Sequence, residues 1–171
     1  FMGFIAVIKN LRTVLRNMSE CKRDIKNYSP DAVILVDYPG FNLKIAKYVK
    51  TKLGIPTHYY IAPKIWAWKE YRIKSIKKYV DYMYSILPFE VEYFNGLGYN
   101  VDYVGNPTVD ELAKRDNIDE TFEQFTLANG LSNKPIISLI AGSRVGEIKN
   151  SLPRMIEAVE GMTEYQFVVA G

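Results

Sequence analysis

The 171 residues include one cysteine, one histidine and two tryptophans, and each shortage removes a class of chemistry. A lone Cys21 cannot close an internal disulfide, so the expectation is a reducing compartment and a small apolar role for the thiol. With His58 as the single imidazole, no group of histidine, cysteine and carboxylate has metal-ligand spacing, and neither a metal nor a cofactor is expected. A nucleophile elbow is lacking, so a Ser-His-Asp hydrolase is unsupported. No run of 18 apolar residues occurs, which excludes a helical membrane span in this stretch. The opening FMGFIAVIKN carries its apolar block ahead of its charges, the reverse of a secretory leader, so none is expected. A formal net charge of +3 is too small to argue for nucleic acid as a partner.

What is present is ordinary globular material, 48% hydrophobic and 24% charged, enough for one full domain or parts of two. Short β-branched or aromatic runs at 32–36, 57–61, 82–87 and 101–104 alternate with stretches of helical spacing at 42–53, after Pro63 and after Pro88. That alternation, with short linkers, predicts a parallel α/β sheet. Residues 1–28 read as a basic amphipathic helix, which either packs on a sheet or lies on an anionic membrane surface. From 105 to 133 the chain turns polar and acidic, the pattern of a bridge, and a new strand-loop-helix-strand unit then follows at 135–140, 145–160 and 165–170. The resulting division is 1–105, bridge 106–133, and 134–171. Because the chain opens inside a helical pattern and stops just after a strand, both domains are expected to be incomplete.

Two turns carry candidate chemistry. In ILVDYPGFN, an apolar run ends at Asp37, which a strand-to-turn junction would present at the carboxyl edge of a parallel sheet, where ligands bind. The alternative is that Asp37 merely accepts backbone N–H bonds in its turn. In IISLIAGSRVGEIKN, Gly142, Ser143 and Arg144 stand between a strand and a helix, offering amides, a hydroxyl and a guanidinium to an anion. It is neither a Walker loop nor a GxGxxG turn. Glu147, one turn on, either contacts the ligand or pairs with Arg144. His58, in THYYI, reads as a general base or, more simply, as a hydrogen-bonded packing residue.

Several stretches taken together, MGFIAVIKNL, PDAVILVDYPGFNLKIAK, YYIAPKIWAWKEYRIKSIKKYVD, ILPFEVEYF, VDYVGNP and AGSRVGEIKNSLP, resemble the lipid-A-disaccharide synthases, in a Bacteroidetes-like form. The resemblance covers essentially the whole chain. It implies a GT-B glycosyltransferase of two Rossmann-like domains with parallel sheets facing a cleft, metal-independent and inverting. The implied reaction transfers 2,3-diacylglucosamine from UDP to 2,3-diacylglucosamine 1-phosphate (lipid X), giving the lipid A disaccharide 1-phosphate and UDP. By position, the resemblance makes Asp37 the general base, puts Met2, Gly3, Phe41 and Asn42 on the acceptor side, and gives Gly142, Ser143, Arg144 and Glu147 to the UDP-sugar, with Arg144 also catalytic. Two departures stand out: Ala6 replaces a usual Glu, and Ala62 replaces a usual Ser before PKIWAW.

Acylated substrates would place such an enzyme in the cytoplasm, peripheral to the inner membrane, with Trp66, Trp68, the lysine-rich face and residues 1–18 as its contact, as a monomer or an oligomer. Two other classes stay open. One is a different GT-B UDP-sugar enzyme, a UDP-N-acetylglucosamine epimerase or a peptidoglycan glycosyltransferase. The other is an inactive nucleotide- or lipid-binding fragment.

Overall fold

The computed structural model describes residues 11–170. The sequence features at Met2, Gly3 and Ala6, and the first part of the amphipathic stretch, lie outside the described residues. The chain forms two compact units that divide between Lys114 and Arg115, inside the stretch read as a bridge.

In the first unit, β1 (Val33–Val36), β2 (Thr57–Tyr60), β3 (Tyr82–Ser85) and β4 (Asp102–Tyr103) form one sheet in the order β1-β2-β3-β4. All pairings are parallel, with Val33 beside Thr57, His58 beside Tyr82 and Tyr84 beside Asp102. Neighbouring strands that are also consecutive step the same way across the sheet, so right-handed crossovers put their helices on one face. Burial along the strands agrees: Val33 and Leu35 are buried, while Ile34 and Val36 between them are exposed. The covering helices are α1 (Leu11–Tyr28), α2 (Pro39–Tyr48), α3 (Ile73–Tyr79) and α4 (Phe89–Gly96). Their Met18, Ile45, Ala46, Ile76 and Phe94 meet Leu35, Tyr59 and Met83 of the sheet in one core.

Helix α2 starts three residues before the expected 42–53 segment. The Pro-Gly pair forms the first helical turn, with Pro39 at a position where its missing N–H costs nothing. A π turn, Val49–Leu53, follows α2 and closes on Gly54, whose φ of 68° suits glycine and whose N–H donates to the Val49 carbonyl at 3.0 Å.

The amino edge of the sheet is tied by Asp81. Its carboxylate accepts from the Thr57 amide at 2.9 Å and pairs with Lys50. Burial works against this carboxylate, but the hydrogen bonds from Lys50 and Thr57 prevail and hold its pKa below the ordinary value. After β4, α5 (Pro107–Ala113) is capped by Asn106, which accepts from the Thr108 amide.

The second unit contains α6 (Phe122–Ala128), opened by a reciprocal cap between Thr121 and Gln124, then β5 (Ile136–Leu139), α7 (Val145–Ala158) and β6 (Gln166–Val169). Strands β5 and β6 pair in parallel, Ile136 beside Gln166, so α7 is a crossover helix. The fold class is therefore α/β with parallel sheets in both units. Among the described residues no helix is long and apolar enough to cross a membrane.

Candidate functional site

The carboxyl ends of β1, β2 and β3 carry the polar features of the first unit. The chain leaves β1 through Asp37 (φ 45°) and Tyr38 (φ 43°), two consecutive non-glycine residues in the left-handed region. Such a pair is costly, by roughly 1–3 kcal/mol per residue, and persists only where its surroundings enforce it. Here the Asp37 N–H extends the ladder to the Tyr60 carbonyl at 3.0 Å. The Asp37 carbonyl accepts from the Tyr59 hydroxyl at 2.5 Å and from Asn42 Nδ2 at 2.7 Å. Asn42 Nδ2 also donates to the Val36 carbonyl at 2.9 Å. The backbone is held while the Asp37 side chain stands exposed, and its carboxylate makes no hydrogen bond or ion pair among the described residues. A free carboxylate at a strand end is equipped to accept a proton from a hydroxyl.

Tyr59 is fully buried, and burial first, then the Asp37 carboxylate, push its phenol well above the ordinary value. Its hydroxyl is accordingly a hydrogen-bond donor at any physiological pH. Phe41 stacks on Tyr38 at 6.2 Å between ring centres, and the two line, with Val14 and Asn17 of α1, a groove of about 270 Å³.

The loop after β2, which contains PKIWAWK, is anchored from within. Ala62 and Ile65 are buried, and the Ala62 amide continues the ladder to the Tyr84 carbonyl at 3.2 Å. Trp66 Nε1 donates to Glu90 at 2.9 Å and its ring meets Phe89 edge-on at 5.1 Å. Glu90, in the first turn of α4, is 1% exposed and also accepts from the Ser85 hydroxyl at 2.5 Å. Trp66 is 39% exposed and Trp68 more so, at 63%, with Lys69 Nζ 3.9 Å from the Trp68 ring centre and Arg72 on the same ring at 6.0 Å. His58 donates to or accepts from the Tyr84 hydroxyl at 2.8 Å and stacks on Tyr82 at 4.6 Å. It is on the sheet face opposite the core, occupied by packing rather than aimed at Asp37.

In the second unit the loop between β5 and α7 holds Gly142, Ser143 and Arg144, all exposed. Gly142 has φ +104°, and a Cβ there would lie 2.8 Å from Glu147 Oε2. Glycine is thus required twice, for conformation and for space. Arg144 Nη1 donates to Glu147 Oε1 at 2.7 Å. That bond first, and the amides of Arg144 and Ser143 after it, keep the Glu147 carboxyl below its ordinary value. Glu147 therefore sits where an anion would meet the start of α7. A cavity of about 690 Å³ lies at the other end of α7, lined by Ile156, Met162, Tyr165 and Phe167 among others. Among the described residues no group of three His, Cys, Asp or Glu side chains is placed to hold a metal ion.

Tyr59 and Glu90 are the polar side chains here whose roles the sequence reading did not single out. Strand alternation sets Tyr59 on the face opposite His58 and Tyr60, but THYY does not say which face is the core; once buried, its hydroxyl needs a partner. For Glu90 the pattern after Pro88 indicates only a place in the first turn of a helix; its bond to Trp66, 24 residues away in the chain, has no local signal.

Comparison with known proteins gives a consistent result. The chain is 39% identical over 163 residues to the lipid-A-disaccharide synthase of Syntrophus aciditrophicus, covering 95% of this chain and 42% of that protein. It is 37% identical over 162 residues to the synthase of Myxococcus xanthus (95% and 41%) and 40% identical over 157 residues to that of Coxiella burnetii (92% and 41%). The chain thus spans about two fifths of the length of these curated relatives. The sequence model of one family, described as lipid-A-disaccharide synthetase, matches residues 1–169. The chain belongs to the lipid-A-disaccharide synthetase family.

Proposed function

We propose that this chain is the catalytic centre's acceptor half, with the first turn of the donor half, of an inverting glycosyltransferase that makes the lipid A disaccharide. The observation that carries the reading is Asp37: an exposed carboxylate with no partner among the described residues, at the carboxyl end of a parallel strand, on a backbone held in an enforced left-handed turn. The substrates of the proposed reaction are UDP-2,3-diacylglucosamine and 2,3-diacylglucosamine 1-phosphate, a reading that family membership supports.

In the proposed step the Asp37 carboxylate takes the proton of the acceptor 6-hydroxyl. The oxygen attacks the donor's anomeric carbon, forming the new C–O bond as the bond from that carbon to the UDP oxygen breaks. The electron pair leaves with UDP, and attack opposite the leaving group inverts the configuration. Arg144, with Ser143 and the amides after Gly142, receives the developing diphosphate charge. To do so Arg144 exchanges its Glu147 partner, 2.7 Å away, for the phosphate. Phe41 lines the acceptor groove with Tyr38. Residues 1–105 serve the acceptor, 106–133 bridge, and 134–171 begin the UDP-sugar domain. Acylated substrates call for a protein peripheral to the inner membrane on its cytoplasmic side, and the exposed Trp68 beside Lys69 and Arg72 suits that contact.

The test is transfer of labelled glucosamine between the two lipid precursors by the complete gene product. Asp37→Ala and Arg144→Ala are each expected to lower turnover by about a hundredfold or more. Unchanged turnover in Asp37→Ala would remove the base assignment.

A further inference from the structure

We infer that Tyr59 and Asn42 are positioning residues for the Asp37 carboxylate, acting through the backbone carbonyl of Asp37 rather than through its side chain. The inference rests on the reading of Asp37 as the proton acceptor. Three facts carry it. First, Asp37 and Tyr38 take φ values of 45° and 43° with no glycine to relax them, so the turn is imposed from outside. Second, what imposes it converges on one residue: the Tyr59 hydroxyl at 2.5 Å and Asn42 Nδ2 at 2.7 Å fill both lone pairs of the Asp37 carbonyl, while the Asp37 N–H, in the preceding peptide, is tied to the Tyr60 carbonyl. Third, the two donors are fixed independently. Tyr59 is 0% exposed within β2, and Asn42 sits in the first turns of α2 and also holds the Val36 carbonyl.

With the peptides on both sides of its Cα gripped in this way, Asp37 has the direction of its Cα–Cβ bond fixed. The carboxylate then leaves the strand end along one line, with no hydrogen bond of its own among the described residues. Tyr59 enters from the neighbouring strand, so the position of the carboxylate is referred to the sheet and not to the loop. The raised phenol pKa is consistent with this arrangement, since it keeps the hydroxyl a donor.

The experiment is steady-state kinetics on the complete gene product with UDP-2,3-diacylglucosamine and 2,3-diacylglucosamine 1-phosphate. Tyr59→Phe keeps the ring in the core and removes only the donor. It is expected to lower kcat by about tenfold to a hundredfold, the scale of a misplaced reacting group, with both KM values within about twofold of the parent. Asn42→Leu, of similar volume and without a donor, is expected to do the same and serves if Tyr59→Phe folds poorly. The control is Tyr99→Phe, which removes another partly buried phenol bonded to a backbone carbonyl, that of Val80 at 3.0 Å, away from Asp37. It is expected to leave kcat unchanged. A kcat in Tyr59→Phe and Asn42→Leu equal to the parent's, or an equal loss in Tyr99→Phe, overturns the inference. Asp37→Asn, run in parallel, separates the two levels: undiminished turnover there sinks the base reading itself, whereas loss there with no loss in Tyr59→Phe sinks only the positioning role.

Discussion

The indole N–H of Trp66 ends on a carboxylate, that of Glu90, which is almost wholly shielded from water and lies 2.9 Å away. The Ser85 hydroxyl reaches the same carboxylate from the end of β3. One acidic group thus fastens the loop after β2 to both β3 and α4, and it does so at the sheet edge that carries Asp37. An apolar contact would hold the ring of Trp66 but not its rotation.

Replacing this group should therefore act on the loop before it acts on the fold. Glu90→Ala leaves two donors without their acceptor and opens a cavity, at an expected cost of about 2–4 kcal/mol. Glu90→Gln keeps the shape and one acceptor, at about 1 kcal/mol. Denaturant midpoints measure both. In a Trp68→Phe background, Trp66 emission should shift to the red in Glu90→Ala and stay near the parent's in Glu90→Gln. Equal midpoints for the two variants would show that the carboxylate is not the fastening point.

A second expectation concerns Gly142. A methyl group there would meet the Glu147 carboxylate at 2.8 Å and its Cβ at 2.9 Å, on a backbone with φ +104°. Gly142→Ala is expected to cost about 1–3 kcal/mol locally and to dislodge Glu147 from the start of α7. If the loop receives the diphosphate of the donor, UDP affinity measured by calorimetry should fall by about tenfold or more, with acceptor KM unchanged. Gly146→Ala, where nothing beyond its chain neighbours and its own helix backbone lies within 4 Å of the added carbon, is the matched control and should leave affinity intact.

These two sites mark where the sequence was readable and where it was not. The parallel sheet was legible because short β-branched or aromatic runs alternate with stretches of helical spacing, whereas which alternate residues of VILV and THYY face the core, Leu35 and Tyr59 among them, was not. The loop at Gly142 was legible because glycine before a helix has few other uses. The start of α2 was not, since a Pro-Gly pair breaks a chain as readily as it opens a helix, and only the packing of Leu43 and Ala46 decides. The left-handed turn at Asp37 and Tyr38 left no trace, because neither residue is glycine and the groups that enforce it come from β2 and α2. Long-range enforcement of local geometry is invisible to local pattern.

The amino edge of the first sheet gives a pH dependence with a definite sign. The Asp81 carboxyl titrates below its ordinary value when folded, so the unfolded chain binds its proton first as pH falls. Its contribution is complete above the unfolded value of about 4 and is lost as pH drops from there through the folded value. Asp81→Asn should lower stability at pH 7, by about 1 kcal/mol given partial solvent exposure, and should lower it less at pH 3. Urea midpoints of parent and variant at the two pH values test this; parallel curves would contradict it.

The last prediction separates the two tryptophans of PKIWAWK. Trp66 has its N–H committed to Glu90 and its ring against Phe89, whereas Trp68 is 63% exposed and carries Lys69 at 3.9 Å over its face. An indole paired with cations at a surface suits the boundary between headgroups and acyl chains, where the ring enters the apolar side and the cations meet lipid phosphates. If the protein works at such a surface, Trp68→Ala should reduce flotation with vesicles containing anionic lipid, and Lys69→Ala should reduce it less and mainly at low salt, since it removes a screened charge. Glu90→Gln, which leaves Trp68 untouched, should float like the parent. Flotation of Trp68→Ala equal to the parent's would move the contact elsewhere on the protein, and no flotation by the parent at low salt would remove the membrane assignment altogether.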